Sequence, residues 1–400
     1  MKNFKDKVIV IPGGATDIGF GLAKAFGAEG AKIVLAARRE NRLQEAVAEL
    51  KKLDVKATYT ICDVTNPDQV EALADFAWAW KGHVDVIINN AGIMVPHAPV
   101  LEMPIEDFER IFAVNFYSVV WGSKVFGKRF LEQGTPAAIY NVGSENSMFH
   151  GTPLNGAYVA TKHSVFAITQ SLYEELPEFI EVSLICPGFV VSELGPEENM
   201  QHGMPTDQFV EIAMQQIKAG EFFVVSHAYN MVPITERYEK VKRAYDKYAP
   251  RYEGDRQYDV RTVIKPILCD QANTIRTNGC TSARVEIAPN TEERKRPMTQ
   301  TILITGASSG IGKATAKYFQ ENGWNVVATM RSPEKESELT KLDNVLVTHL
   351  DVQDSASIKK AVTTAIETFG KIDVLLNNAG YGSYGVLEAT PMKRSGASSM

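Results

Sequence analysis

The sequence predicts an α/β fold: a doubly wound parallel sheet with helices on both faces, three layers in all. Short apolar runs alternate with stretches of helical period through residues 1–230, and such alternation builds a parallel sheet covered on both sides. A glycine-rich turn, Gly13-Gly14-Ala15-Thr16-Asp17-Ile18-Gly19, follows the first run and opens a helical stretch. Residues 8–19, VIVIPGGATDIG, recur as residues 301–312, TILITGASSGIG, so the fold is expected to begin twice.

In chain order the strands are expected at 7–11, 32–36, 57–61, 84–88, 137–142, 181–186 and 222–226, with helices such as 66–80 and 156–176 between them. An amphipathic helix is expected over 206–218, with Thr206 as its N-cap. Its Phe209, Ile212, Met214 and Ile217 either line an apolar pocket or pack as core. A further helix over 234–248 carries Tyr238, Val241, Tyr245 and Tyr248, suited to covering a site or a partner surface.

The repeat sets the domain organisation. Asp63-Val64 recurs as Asp351-Val352, and Asn89-Asn90-Ala91-Gly92 as Asn377-Asn378-Ala379-Gly380, with 26 positions from Asp63 to Asn89 and from Asp351 to Asn377. We expect a complete unit over 1–265, a linker over 266–298 and a truncated copy over 299–400. The linker ends Glu292-Glu293-Arg294-Lys295-Arg296-Pro297 and reads as solvated, although its short basic run also fits a nuclear-localisation signal. A half-fold leaves the strand over 373–377 as an unpaired edge, an association hazard. The second copy could bind nucleotide without catalysis, pair with another chain, or be the product of adjacent genes. Met298, just before a strand and glycine turn, resembles a start site and favours the last account.

Composition bounds the function. At 400 residues the chain is too long for one small domain. With 44% hydrophobic and 22% charged residues it is a globular composition, not a disordered, collagenous or coiled-coil one. The net charge of −6 offers no general attraction to nucleic acid or anionic lipid. Cys62, Cys186, Cys269 and Cys280 form no paired motif, so neither a disulfide framework nor a metal site is expected. The N-terminus lacks a signal-peptide pattern and no run is long enough to span a bilayer, so a cytoplasmic protein without a membrane partner is expected.

The motifs point to a bound dinucleotide. A glycine turn before a helix lets a pyrophosphate approach the backbone, where free N–H groups and the positive end of the helix dipole meet it. At position 17 a glycine is expected and Asp17 stands instead, read as a helix cap; the second copy has Gly310 there. The second strand runs into Ala37-Arg38-Arg39, where an acidic residue would select NAD(H) and arginine accommodates a 2′-phosphate. NADP(H) is therefore expected over NAD(H), and Arg331 after Met330 repeats the basic end. Tyr158 and Lys162, four apart in a helical stretch, share a face. A cation beside a phenol lowers its pKa toward the range of a working acid/base.

These residues, in this order, resemble the classical short-chain dehydrogenase/reductase family over 1–230 and again over 300–392. The marks are the glycine turn, Asp63, Asn89 to Gly92, Asn115, Ser144, Tyr158-x-x-x-Lys162 and Pro187-Gly188. The resemblance implies a Rossmann-like fold and hydride transfer between a nicotinamide cofactor and a ketone or secondary alcohol. It assigns Tyr158 as general acid/base, Lys162 as its tuner and ribose ligand, Ser144 as the group orienting the substrate carbonyl, and Asn115 as part of a proton relay. The family's serine stands thirteen residues before the tyrosine. Glu145 occupies that place here, Ser144 is fourteen before, and Ser147 is the fallback. Gly13, Thr16, Ile18, Gly19, Arg38, Arg39, Asp63, Val64, Asn89, Ala91, Gly92, Pro187, Gly188, Val190 and Ser192 are the expected cofactor contacts. Asp63 would accept from the adenine amine, or cap the next helix. In the second copy Gly306, Ser309, Gly310, Ile311, Gly312, Arg331, Asp351 and Asn377 match the same places, without a catalytic set. A homodimer or tetramer through the helices bearing Asn115 and Tyr158 is implied. The other reading kept open is a catalytically silent nucleotide-binding regulatory or scaffold protein, for which Asp17 and the serine spacing speak.

Overall fold

A computed structural model describes residues 3–195, 197–259 and 300–381. They form two compact units. The expected linker, Cys269, Cys280 and the chain beyond 381 lie outside the described residues.

The first unit holds seven parallel strands: β1 Val8–Pro12, β2 Lys32–Ala37, β3 Ala57–Ile61, β4 Val86–Asn89, β5 Ala137–Val142, β6 Ile180–Cys186 and β7 Phe223–Val225. Their order in the sheet is β3-β2-β1-β4-β5-β6-β7. Helices α1 Asp17–Ala28, α2 Glu40–Lys52, α3 Pro67–Lys81, α4 Ile105–Phe112, α5 Ser118–Gln133, α6 Gly156–Glu175, α7 Glu197–Met200, α8 Thr206–Ala219 and α9 Met231–Tyr248 follow in chain order. Alternation along the strands decides the layers, because successive side chains leave a strand on opposite faces. Ile9, Ile11, Ile33 and Leu35 pack with α1, α2 and α8 through Leu22, Phe26, Leu43, Leu50 and Phe209. Val8, Val10, Val34 and Ala36 face the other way, onto α3 and α5 through Val70, Leu73, Phe126 and Phe130. The central strands are buried on both faces and read as largely apolar runs, while the outer strands β3 and β7 are partly exposed.

The cap and the start expected for the later helices change, and one open alternative is decided. The cap position of α8 belongs to Pro205, and Thr206 is already helical, its Oγ1 donating to the Val191 carbonyl at 3.0 Å. Phe209, Met214 and Ile217 are buried core rather than pocket wall. The last helix, α9, starts three residues earlier than expected and buries none of its residues; Tyr238, Val241, Tyr245 and Tyr248 are exposed.

The second unit repeats the beginning of the first. Its strands β8 Thr301–Thr305, β9 Asn325–Met330, β10 Val345–His349 and β11 Val374–Leu376 are ordered β10-β9-β8-β11, with helices α10 Gly310–Glu321 and α11 Ser355–Phe369. Among the described residues β11 pairs with β8 alone, leaving Val374 and Leu375 exposed on the open edge.

One buried polar chain ties the middle of the first sheet to its helices. Asn89 Nδ2 donates to Asn141 Oδ1 at 2.8 Å and to Ser123 Oγ at 3.3 Å, and Asn141 Nδ2 donates to Thr169 Oγ1 at 3.0 Å. Gly122 of α5 passes directly over Asn89, and a Cβ there would stand 2.0 Å from Asn89 Oδ1. Alanine gains about 1 kcal/mol in helix propensity. Displacing a buried, fully bonded amide costs about 2–3 kcal/mol. Gly122→Ala is therefore expected to destabilise by roughly 1–2 kcal/mol, read as a lower thermal transition; an unchanged or raised transition would show that α5 can move aside freely.

Candidate active site

The order of the sheet reverses between β1 and β4, and the loops at the carboxyl ends there diverge to leave a crevice. A cavity of about 940 Å³ fills it. Its walls bring together Gly13, Thr16, Ile18, Arg38, Arg39, Asp63, Val64, Ala91, Gly92, Ser144, Tyr158, Lys162, Pro187, Gly188, Val190 and Ser192. Three expected residues stand outside it. Asn89 is turned into the polar chain described above, and Asn90 takes the wall position, its Nδ2 donating to the Gly13 carbonyl at 2.7 Å. Gly19 packs against that same carbonyl, with no room for a Cβ. Asn115 is buried and clasps the backbone of Ile93, accepting from its N–H at 2.8 Å and donating to its carbonyl at 3.0 Å.

At the cofactor end, no side chain caps α1, so its first turn faces the cavity with its N–H donors. Thr16 occupies the cap position, and Asp17 is not a cap. Its φ of 53° is the left-handed conformation that the second unit gives to Gly310, at 55°. Asp17 Oδ1 accepts from the Glu193 N–H at 2.9 Å and Oδ2 from Thr16 Oγ1 at 3.1 Å. Burial pushes the Asp17 carboxyl above its usual range. Asp63 does not cap α3, a task Asn66 performs by accepting from the Asp68 N–H. Asp63 Oδ1 instead accepts from both the N–H and the hydroxyl of Thr65. These uncapped donors, the narrow glycine turn and the two arginines beyond β2 suit a dinucleotide, and the residues present fit that group.

At the other end lie Ser144, Tyr158 and Lys162. Ser144 is buried at the start of a short 3₁₀ turn, Glu145–Ser147, where its Oγ accepts from the Asn146 N–H at 3.2 Å. Ser147 is turned away, accepting from the Ser144 N–H at 3.1 Å, and does not line the cavity. Ser144 shares the cavity wall with Tyr158 and acts to lower its pKa. Lys162 is buried, its Nζ donating to the Val142 carbonyl at 2.9 Å and lying 5.6 Å from the centre of the Tyr158 ring.

The expected lowering of the tyrosine pKa is overturned in this arrangement. Burial raises Tyr158 above its ordinary value; Ser144 acts the other way, and the nearby Glu145 charge adds to the rise. Burial also depresses Lys162 to about 8.

Glu145 is a wall residue that motif reading passed over, and Asn90 takes the contact expected of Asn89. Asn90 was legible inside the Asn-Asn-Ala-Gly run. Glu145 was noticed only as a spacing anomaly, yet its carboxylate accepts from the Tyr229 hydroxyl at 2.9 Å. Gly188 is small because a Cβ there would meet His227 Nδ1 at 2.4 Å and Glu145 Oε2 at 2.9 Å. In the second unit Gly306 and Gly310 have positive φ as Gly13 and Asp17 do, and Gly312 packs against Asn378 as Gly19 packs against Asn90. Ser309 takes the cap position, Asp351 Oδ1 accepts from the Gln353 N–H, and Ile311, Arg331 and Asn377 are exposed.

The model of the short chain dehydrogenase family matches residues 7–203 and 300–395. The chain belongs to that family, and is a nicotinamide-dependent oxidoreductase acting between CH–OH and C=O groups, with a second, partial copy of the family fold. It is 29% identical over 249 residues to 1-deoxy-11-beta-hydroxypentalenate dehydrogenase of Streptomyces exfoliatus, covering 60% of this chain and 90% of that one. A short-chain dehydrogenase from Burkholderia phymatum in complex with NAD superposes with a TM-score of 0.58 at 26% identity, covering 63% of this chain and all of that one. An alcohol dehydrogenase from the archaeon Thermococcus sibiricus, complexed with 5-hydroxy-NADP, gives 0.51 at 25% identity, covering 56% and 96%. No described helix is long and apolar enough to cross a membrane.

The depressed lysine makes a stability prediction. A lysine whose folded pKa lies below its unfolded value costs stability while both states are protonated, and that cost fades as pH rises from about 8 toward the ordinary lysine value. A shift of this size corresponds to on the order of 3 kcal/mol. Relative to the parent chain, Lys162→Met is expected to gain stability at pH 7 and to lose that advantage by about pH 10. Denaturant unfolding at the two pH values checks this; a difference independent of pH would contradict it.

Proposed function

We propose that the chain transfers a hydride between NADP(H), with NAD(H) accepted less well, and a ketone or secondary alcohol. Tyr158 is the general acid/base. The observation that carries this reading is Tyr158 beside the buried Lys162, in one cavity with Ser144, the glycine turn and Arg38 and Arg39.

The cofactor would be held by the α1 turn and Thr16, by Asp63 and the Asn90-Ala91-Gly92 backbone, and by Pro187, Gly188, Val190 and Ser192; bound, it supplies or accepts the hydride. Ser144 orients the substrate oxygen by a hydrogen bond. Tyr158 gives its hydroxyl proton to that oxygen in reduction and takes it back in oxidation. Burial raises its pKa, so the hydroxyl holds its proton at neutral pH. Lys162 holds positive charge beside the phenol, opposing the Glu145 charge when the proton leaves. Asn115 fixes the Ile93 backbone behind the site. Two of the relatives named above, the hydroxypentalenate dehydrogenase and the alcohol dehydrogenase, are named for hydroxyl compounds, which supports this substrate class. We take 1–265 as the catalytic unit in a cytoplasmic homodimer or tetramer, 266–298 as a linker and 299–400 as a partial copy. The alternative, a catalytically silent nucleotide-binding protein, rests only on Asp17 in the phosphate turn and on the serine spacing.

Tyr158→Phe in the full chain separates the two readings. Against a panel of small ketones with NADPH, turnover is expected to fall by about a thousandfold while the NADPH fluorescence titration is unchanged. A variant as active as the parent would sink the catalytic assignment.

A further inference from the structure

Glu193 lies in the segment that leaves β6 and runs back over the glycine turn. Both of its carboxylate oxygens are taken: Oε2 by Arg39 Nη2 at 3.1 Å, and Oε1 by Arg42 Nη2 at 2.7 Å. Its own N–H is held by Asp17 Oδ1 at 2.9 Å. Upstream, the segment is anchored where the Val191 N–H donates to the Met204 carbonyl and Thr206 Oγ1 donates to the Val191 carbonyl. Its neighbours Ser192 and Leu194 line the cavity, and so does Arg39. Glu193 thus joins three elements that must all adapt to a dinucleotide: the turn before α1, the start of α2 and the strap after β6.

Arg39 stands where the end of β2 meets the adenosine side of such a cofactor, and guanidinium forks accept carboxylate and phosphate oxygens in the same geometry. Two anions cannot share one fork without repulsion. Resting on the cofactor reading above, we propose that Glu193 is a cofactor-specificity residue: its carboxylate occupies Arg39 and Arg42 in place of a 2′-phosphate. NADP(H) has to displace it, whereas NAD(H) does not. Displacement exchanges one carboxylate for a phosphate of higher charge on the same two arginines, and frees residues 192–195 from α2 while the Val191 anchor stays. Each exposed ion pair is weak alone, so the effect is graded rather than all-or-none. Glu193 lowers a preference for NADP(H) that the arginines would otherwise make stronger.

The test compares the full chain with its Glu193→Gln variant, titrating NADPH and NADH by fluorescence and following backbone amide exchange over 190–195. The variant is expected to bind NADPH about fivefold to tenfold more tightly, with NADH within about twofold. In the parent, NADPH and not NADH is expected to speed amide exchange at 192–195. Unchanged affinities for both cofactors, or weaker NADPH binding, would overturn the proposal, the latter showing that Glu193 organises the arginines for the phosphate. A parent chain that binds neither cofactor would instead defeat the functional reading itself, a result distinguishable from either.

Discussion

The site depends on one close approach. Gly13 meets Ala91 so tightly that a Cβ on Gly13 would lie 2.7 Å from the Ala91 Cα, and the Asn90 amide closes the gap by donating to the Gly13 carbonyl at 2.7 Å. This contact joins the loops after β1 and β4, the two strands between which the sheet reverses direction. Without it the crevice would have no floor, because the two loops lead to helices on opposite faces. Glycine is required at 13 for its φ of 73° as well as for space. Asparagine suits position 90 because a short amide reaches a neighbouring carbonyl where a longer side chain would fill the cavity.

From that floor the chemistry is set by burial. Tyr158 and Lys162 lie on one face of α6, with Ser144 brought to them by the turn after β5. A charged lysine out of water is costly, and a carbonyl at 2.9 Å offsets only part of the cost. The same burial that depresses Lys162 raises Tyr158, so the two pKa values move apart, the lysine falling below the tyrosine. That separation keeps a neutral phenol next to the lysine, which suits proton delivery to a carbonyl oxygen better than a free phenolate would. Stability is given up at the point where the reaction needs a poised proton.

The fold was legible because periodicity and burial report the same thing: the central strands, covered on both faces, are dominated by apolar residues. Ser144 lines the cavity despite its spacing because it lies two residues beyond β5, and position relative to a strand end is a stronger signal than a residue count. What escaped were side chains whose direction depends on partners far along the chain. Asn89 and Asn90 are adjacent and identical in type, yet one turns into the sheet toward Asn141 and the other toward Gly13. Asp17 looked like a cap because sequence cannot show that its backbone is left-handed or that Glu193, 176 positions away, takes its carboxylate. The raised tyrosine escaped for a related reason, since a Tyr-x-x-x-Lys spacing shows the cation but not the burial.

Asp17 also weighs on whether the first unit is a working copy or a lapsed one. A glycine lost by drift would leave strain, because a non-glycine residue in the left-handed region costs about 1 kcal/mol or more. In the second unit Gly310 adopts nearly the same φ, so the turn imposes the conformation whichever residue is present. In the first unit the aspartate's two oxygens are both used, one on the Thr16 hydroxyl beside it and one on the backbone of the strap that lines the cavity. Asparagine and aspartate are the residues, after glycine, that tolerate this backbone best. A substitution that keeps the conformation and adds a tether to the cavity wall is an adaptation of the site. The anion it introduces is held by hydrogen bonds on both oxygens, and the α1 N–H donors stay open to the cavity, so the turn retains the features that a pyrophosphate requires.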